Sequence, residues 1–588
     1  MLLKDTLLTT ALVGSQLGDA LVAHSSSPHA SPTVTASFKT PAYRYSSFSY
    51  TQLTSNRYAT PLPSPISFAT PFAPPFSEAS SLLPTGVTYT TYSLEPTTTA
   101  DPGSETEYDQ EAYNELWASL SYSSGPPFTT TVSPTPVPSS ELVFPPALTP
   151  YLANPEKKLP ENFIWGVAGS AWQIEGGLQL GGRGPSILDT IGALQSNDSA
   201  SDANVATMNY YLYKQDIARL AALGVPYYSF SIPWSRIVPF GVAGSPVNTE
   251  GLAHYDDVIN TCLEYGVTPI VTLVHADYPP SVVADMGNLT SHYLYYAKQV
   301  MTRYADRVPY WVTFNEPNIS VGSVAKSYSI LKDILLAHAA AYHWYKETLG
   351  GTAQITLKFA NNLALPLDPT NSTHTTSAQR YQAFILGIMG NPLLLGEQIP
   401  SEVLSTPNIT IDALTDEELA TVKNTVDFIS IDPYTAQFAS PAPEGIEACA
   451  ANSSNPLWPS CATLTNVQAN GWLMGEASND YAYIAPHTFR PKGILISEYG
   501  FNPFADANRS LNAQRYDLER TLYYHFFLRE VVTAIHEDGI NVVGALAWSV
   551  LDNDEFGSYA NMYGLQTVNR TDGRFFDYVD FFHQHIAS

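Results

Sequence analysis

The chain has 588 residues, of which 44% are hydrophobic, and a formal net charge of −27 at pH 7. Length and apolar content suffice for one large core or for several domains of ordinary size. The acidic balance argues against nucleic acid or an anionic membrane as the main partner, and three cysteines are too few for a disulfide scaffold.

Residues 1–23, MLLKDTLLTTALVGSQLGDALVA, carry one Lys and then a moderately apolar stretch ending in small residues. That is the pattern of a secretory signal, with cleavage after Ala20 or Ala23. Asp5 and Asp19 fit it poorly, and a disordered apolar leader is the alternative. No other stretch is long and apolar enough to cross a bilayer. Residues 24–155 are rich in Ser, Thr and Pro, as in TPLPSPISFATPFAPPF and FTTTVSPTPVPSS. Proline this dense excludes continuous helix or central strand. A mostly irregular linker or stalk is therefore expected, with hydroxyls open to O-glycosylation. Only 105–120 has a helical pattern, and such a helix is marginal alone.

The composition changes at Leu159. Strand-like runs at 163–169, 227–232, 268–275, 310–315, 354–359, 427–432, 493–497 and 542–548 follow. Helical patterns alternate with them at 208–223, 250–265, 289–304, 331–348, 375–389, 416–423 and 511–538, and a last one lies at 578–586. This alternation is the signature of parallel α/β architecture. Eight strands in a domain spanning 156–588 point to a (β/α)8 TIM barrel, whose chemistry sits at the strand carboxyl ends. An open doubly wound sheet is the alternative, but it does not need polar residues at nearly every strand end. Here they occur at nearly every one. Gln173 and Glu175 follow the first strand, His275 ends the third, and Asn315 and Glu316 follow the fourth. Asp432 and Tyr434 close the sixth, Glu498 the seventh, and Trp548 and then 552–555 the eighth.

Two of these ends share a pattern. In YWVTFNEPN (310–318) the aromatic and β-branched run suits a buried strand, and Pro317 ends it near Glu316. GILISEYGF (493–501) presents Glu498 in the same way. Two glutamates at the ends of parallel strands suit a carboxylate pair acting across a glycosidic bond. Amides, an imidazole, a phenol and aromatic faces suit the hydroxyls and the apolar side of a sugar. The sequence contains no Cys/His cluster with zinc-ligand spacing, no P-loop and no dinucleotide fingerprint, so neither metal nor cofactor is expected. Cys449 and Cys461 flank a polar segment and could close a small loop in an oxidising compartment or remain thiols. Cys262, in a helical pattern, reads as a buried free thiol.

FIWGVAGSAWQIEGG, GPSILDT, YKQDIARLAALGV, FSIPWSRIVPFG, YWVTFNEPN, LLAHAAAYH, DFISIDPYT, ILISEYG, EDGINVVGALAWSVLDNDEF and YGLQTVNRTDGR follow one another over 159–588. In content and order they resemble glycoside hydrolase family 1, the β-glucosidase family. The resemblance implies a retaining β-glycosidase, foremost a β-glucosidase, releasing terminal β-D-glucosyl residues from oligosaccharides or aryl and alkyl glucosides, with water as second substrate. It implies Glu316 as general acid/base and Glu498 as nucleophile, their carboxyl groups ~5–5.5 Å apart, with Glu316 protonated in the free enzyme. Asn315 would bond the 2-hydroxyl and Tyr434 would orient Glu498. Gln173, His275 and Glu555 would hold the other hydroxyls, and Trp548 would stack on the ring.

The chain also departs from that pattern. Ser229 stands where the family places an Arg that steadies the nucleophile. Ala276 replaces a Trp, Asp432 an Asn, Tyr499 an Asn and Phe556 a Trp. A lost cation and an added acid both work against an ionised Glu498. The rival expectation is therefore a catalytically weakened barrel that binds carbohydrate or protein at the cell surface. Sequons at Asn197, Asn288, Asn318, Asn371, Asn408, Asn452, Asn508 and Asn569 fit a secreted or wall-associated glycoprotein; Asn318, beside a catalytic strand end, is the least suited to carry glycan.

Overall fold

A computed structural model describes residues 60–94, 107–120, 125–135, 157–194, 202–320, 328–360, 363–468, 493–503, 506–510 and 517–570, with isolated pieces at 51–52, 143–144, 471, 476–477, 482–483 and 514. The expected leader, the sequon at Asn197 and the last helix lie outside the described residues.

Barrel strands form where β-branched and aromatic residues are dense. They are β1 (Ile164–Ala168), β2 (Tyr227–Ser231), β3 (Thr268–Val274), β4 (Tyr310–Phe314), β5 (Gln354–Thr356), β6 (Lys358–Ala360), β7 (Ile429–Asp432), β8 (Ile494–Tyr499) and β9 (Val542–Trp548). All neighbours pair in parallel, in the order β6-β7-β8-β9-β1-β2-β3-β4-β5. The two end members are halves of the one strand expected at 354–359, broken at buried Leu357. Glu316 N–H donates to Lys358 O at 3.1 Å, which carries the pairing from the end of β4 across to β6. The sheet thereby closes into the TIM barrel.

Ile164, Ile270, Val312, Leu495 and Leu546, from five different strands, share one apolar cluster. The larger cluster joins strand faces to the surrounding helices. Those helices, after the short α1 (Gln110–Trp117), are α2 (Asn209–Leu223), α3 (Thr249–Glu264), α4 (Leu289–Tyr304), α5 (Ser329–His343), α6 (Ser372–Gln382), α7 (Asp416–Val422) and α8 (Leu518–His536). Their ends follow from local chemistry. Asn248 Oδ1 accepts from Glu250 N–H at the start of α3, and Thr415 and Glu418 form a capping box on α7.

Strands Leu363–Pro366, Ala436–Pro441 and Ala462–Thr465 form a small sheet on the chain that leaves β6 and β7, covered by α6. Cys449 and Cys461 are joined in a disulfide within this excursion, their Cα atoms 5.7 Å apart, which decides the pairing the sequence left open. Cys262 is a buried free thiol.

The N-terminal extension, where described, lies against the barrel. Leu62 and Ile66 donate backbone N–H to Glu264 and Leu263 at the end of α3, and Thr352 N–H donates to Phe72 O. Tyr89–Thr90 pairs with Val247–Asn248. The helix expected at 105–120 is α1, and what stabilises it is burial of Tyr113 and Trp117. Both donate to Arg183 O, at 2.8 and 3.1 Å. Val132 N–H and Thr135 N–H then bond Tyr211 O and Gln215 Oε1 on α2. Over these residues the expected stalk is a strap.

Candidate active site

The site is built from strand ends. Beyond β4, Asn315 N–H still bonds Val274 O at 2.8 Å, and the chain then turns at Glu316, whose φ is +45°. A non-glycine residue in that region is strained and persists only when its surroundings hold it. The hold comes from the short helix Pro317–Ser320. Asn318 Nδ2 donates to Ala360 O and Ile385 O at 2.8 and 3.0 Å, and its Oδ1 accepts from Ala360 N–H at 3.1 Å. Asn318, 4% exposed, is thus a clamp on β6, closed to glycan in the folded chain.

Glu498 lies within β8 rather than after it. The β8–β9 register shifts between Ile496 and Tyr499, and an irregularity of this kind re-aims a side chain. Glu498 is 3% exposed. Its Oε2 accepts from Tyr434 OH at 3.0 Å and its Oε1 from Lys358 Nζ at 2.8 Å. Lys358 is buried. This corrects one expectation: Ser229 does not leave Glu498 without a cation, because β6 supplies one. Sequence reasoning missed Lys358, although a lysine inside the apolar run ITLKFA is itself a signal, since a buried lysine needs a partner.

Burial, then the negative charges of Asp432, Glu498 and Glu555, hold the Glu316 carboxyl well above the usual range, with Lys358 acting against them. Asp432 is raised by burial and by Glu498; Lys358 and the Ser497 hydroxyl, 2.6 Å from Oδ1, oppose this. Burial works against a charged Lys358, but Glu498 and Asp432 outweigh it and raise the ammonium above its ordinary value. Tyr434 is raised by burial and by the surrounding carboxylates, so it remains a donor. Burial lowers His275 to about 4, with Lys358 adding to this and Glu498 opposing it. Its imidazole is therefore neutral at ordinary pH.

The remaining expected residues are joined by contacts between neighbouring strand ends. Asn315 Nδ2 lies 3.3 Å from His275 Nε2, and the His275 and Trp548 rings stack with centroids 5.8 Å apart. Gln173 accepts from Ser170 Oγ through Oε1, while its buried Nε2 has no protein partner. Its carbonyl accepts from Asp554 N–H at 3.0 Å, which ties the first strand end to the segment bearing half-buried Glu555. Phe556 next to it stacks on Trp172. Among the described residues, no group of three or more His, Cys, Asp or Glu side chains is arranged to hold a metal ion. Two acids, one held above its usual range and the other bonded by an ammonium and a phenol, stand among amides, an imidazole and an indole, a set able to support acid-assisted displacement.

Comparison with known proteins agrees with this geometry. Residues 155–576 match the model of glycosyl hydrolase family 1. Beta-glucosidase 12 of Oryza sativa subsp. indica is 31% identical over 467 residues, spanning 71% of this chain and 90% of the relative. Beta-glucosidase 1B of Phanerodontia chrysosporium is 30% identical over 465 residues, spanning 71% and 83%. Among solved structures, the GH1 beta-glucosidase from Humicola insolens in complex with glucose superposes with a TM-score of 0.66 at 26% identity, over 73% of this chain and 98% of that one. The β-glucosidase 2 of Trichoderma reesei, in complex with Tris, gives 0.65 at 28%, with the same coverage. With its barrel, its strand-end carboxylates and these relatives, the chain belongs to glycosyl hydrolase family 1.

Proposed function

We propose that this glycosidase-family protein is a retaining β-glucosidase that cleaves terminal non-reducing β-D-glucosyl residues. The observation that carries the reading is the contrast between its two glutamates. Glu316 is held protonated by burial and neighbouring acids, as a general acid needs to be. Glu498 is gripped on one oxygen by an ammonium and on the other by a phenol, as an oriented carboxylate nucleophile needs to be. In this mechanism Glu498 attacks the anomeric carbon while Glu316 gives its proton to the leaving oxygen. The covalent glycosyl-enzyme forms with Glu316 ionised, and Glu316 then takes a proton from the water that releases glucose. Asn315, Gln173, His275 and Glu555 would hold the hydroxyls, and Trp548 the apolar face. We also place the protein outside the cell, on the support of its leader pattern and sequons; N-terminal sequencing of protein recovered from culture fluid tests this.

The activity test is hydrolysis of 4-nitrophenyl β-D-glucoside by the full chain, with the first-formed anomer read by NMR. A β-anomer as first product supports retention. Glu498→Gln is expected to lose turnover on every substrate, by roughly 10³-fold or more. Glu316→Gln is expected to lose most on substrates with poor leaving groups and least on the nitrophenyl glycoside. A parent chain that is inert on a panel of aryl β-glycosides yet binds glucose would replace this reading with that of a carbohydrate-binding barrel.

A further inference from the structure

Two buried carboxyl groups, Asp432 and Glu498, and the half-buried Glu316 meet one ammonium, Lys358, where the ends of β4, β7 and β8 face the start of β6. Charges this deeply placed are costly unless paired, so one cation sustains about one ionised carboxylate. Geometry decides which. Lys358 Nζ bonds Glu498 Oε1 at 2.8 Å, whereas Asp432 takes its hydrogen bonds from the Ser497 hydroxyl and the Glu498 backbone, reaches no cation among the described residues, and leaves Oδ2 without a protein partner.

We propose that Lys358 is the positioning residue of the nucleophile: it fixes the single negative charge of the carboxyl cluster on Glu498 and leaves the protons to Glu316 and Asp432. This rests on the β-glucosidase reading for its catalytic consequence, but not for the pairing itself. It explains how a chain with Ser229 in place of the expected arginine keeps a charged nucleophile: the cation comes from β6, on the strand interrupted at Leu357. The exchange has a chemical cost. An ammonium is a point charge with no fixed fork, so orientation falls to Tyr434 on the second oxygen. The other charged or titratable groups facing the cluster are His275, neutral through burial, and Glu555 at its margin.

The test uses the full chain in two independent measurements. In kinetics with 4-nitrophenyl β-D-glucoside, Lys358→Met is expected to lower kcat/KM roughly a hundredfold or more. It should also move the acidic limb of the pH profile upward by roughly one unit or more. Lys358→Arg should restore much of both, and millimolar ethylammonium should partly rescue Lys358→Ala. In thermal unfolding, Lys358→Met, Glu498→Gln and the double variant form a cycle in which the double variant melts higher than additivity requires. Additive melting shifts overturn the proposal, as does a Lys358→Met variant within threefold of the parent with an unmoved acidic limb. If the parent is inert but the melting cycle is coupled, the β-glucosidase reading falls and the charge assignment stands.

Discussion

Asp432 is fully buried, and one of its oxygens is engaged by Ser497 Oγ. Asp432 holds a proton in the resting cluster; as pH rises and it ionises, its negative charge is the foremost electrostatic influence, after burial, that keeps the proton on Glu316. In the proposed mechanism activity needs that proton and declines as pH rises through the Glu316 titration, which would form the basic limb of the profile. Asp432→Asn removes a charge that raises Glu316, so the basic limb of kcat/KM is expected to move to lower pH while the acidic limb gains no such shift. A second carboxyl makes a stability statement. Burial pushes Asp277 up to about 7. Between about pH 4 and that value the unfolded chain has released a proton that the folded chain retains, so stability falls as pH rises through this window. Asp277→Asn still accepts from His275 N–H, and is expected to melt higher than the parent at pH 8 with little difference near pH 4. Glu316 and Glu498 could be read from sequence because each ends its own apolar run. Lys358 could not be assigned its partner, which lies 140 residues away in the chain, and the clamp made by Asn318 was no more legible, since Ala360 and Ile385 are also distant in sequence.

Among the elements, β3, β4 and β9 stand within a residue of where aromatic and β-branched runs placed them, because a buried parallel strand needs little beyond those runs. The exceptions are properties of pairing. The break at Leu357 and the irregularity at Glu498 depend on neighbouring strands, and nothing local encodes them. Helical stretches show the same division. The pattern at 331–348 becomes α5 followed by a wider π-helical turn over Trp344–Thr348, and the one at 375–389 becomes α6 followed by further wide turns. The disulfide belongs to this scale. It closes a loop of 12 residues, and such a crosslink stabilises by roughly 3 kcal/mol, chiefly by restricting the unfolded chain. Cys449→Ser is expected to lower the melting temperature by several degrees. In hydrogen exchange the effect should concentrate in 436–465, leaving β1–β4 protected as in the parent.

For the whole molecule, the composition of residues 24–155 announced an irregular chain but not where its described parts lie against the barrel. Docking depends on surfaces the barrel makes only when folded. The strap reaches the site through contiguous packing. Tyr113 and Trp117 hold Arg183, Arg183 Nη1 bonds Asp189 Oδ2 at 2.8 Å, Asp189 Oδ1 accepts from Trp172, and Trp172 stacks on Phe556 beside Glu555. A Tyr113→Ala/Trp117→Ala variant is expected to expose 107–135 to limited proteolysis and to raise KM while kcat changes little. Residues 156–588 alone are expected to melt below the full chain and to bind a hydrophobic dye, since buried rings such as Tyr92, Tyr113 and Trp117 pack against Arg183 and Phe240.

The strap also imposes an order of events on synthesis. It leaves the ribosome before the barrel does, yet its partners lie far downstream: Tyr89 bonds Gln299 across 210 residues, and Thr352 bonds Phe72 across 280. Contacts of such separation form late. A segment made before its partners is therefore among the last to settle, and through much of translation its tyrosines and tryptophan remain open to chaperones and to any enzyme that modifies an unfolded chain.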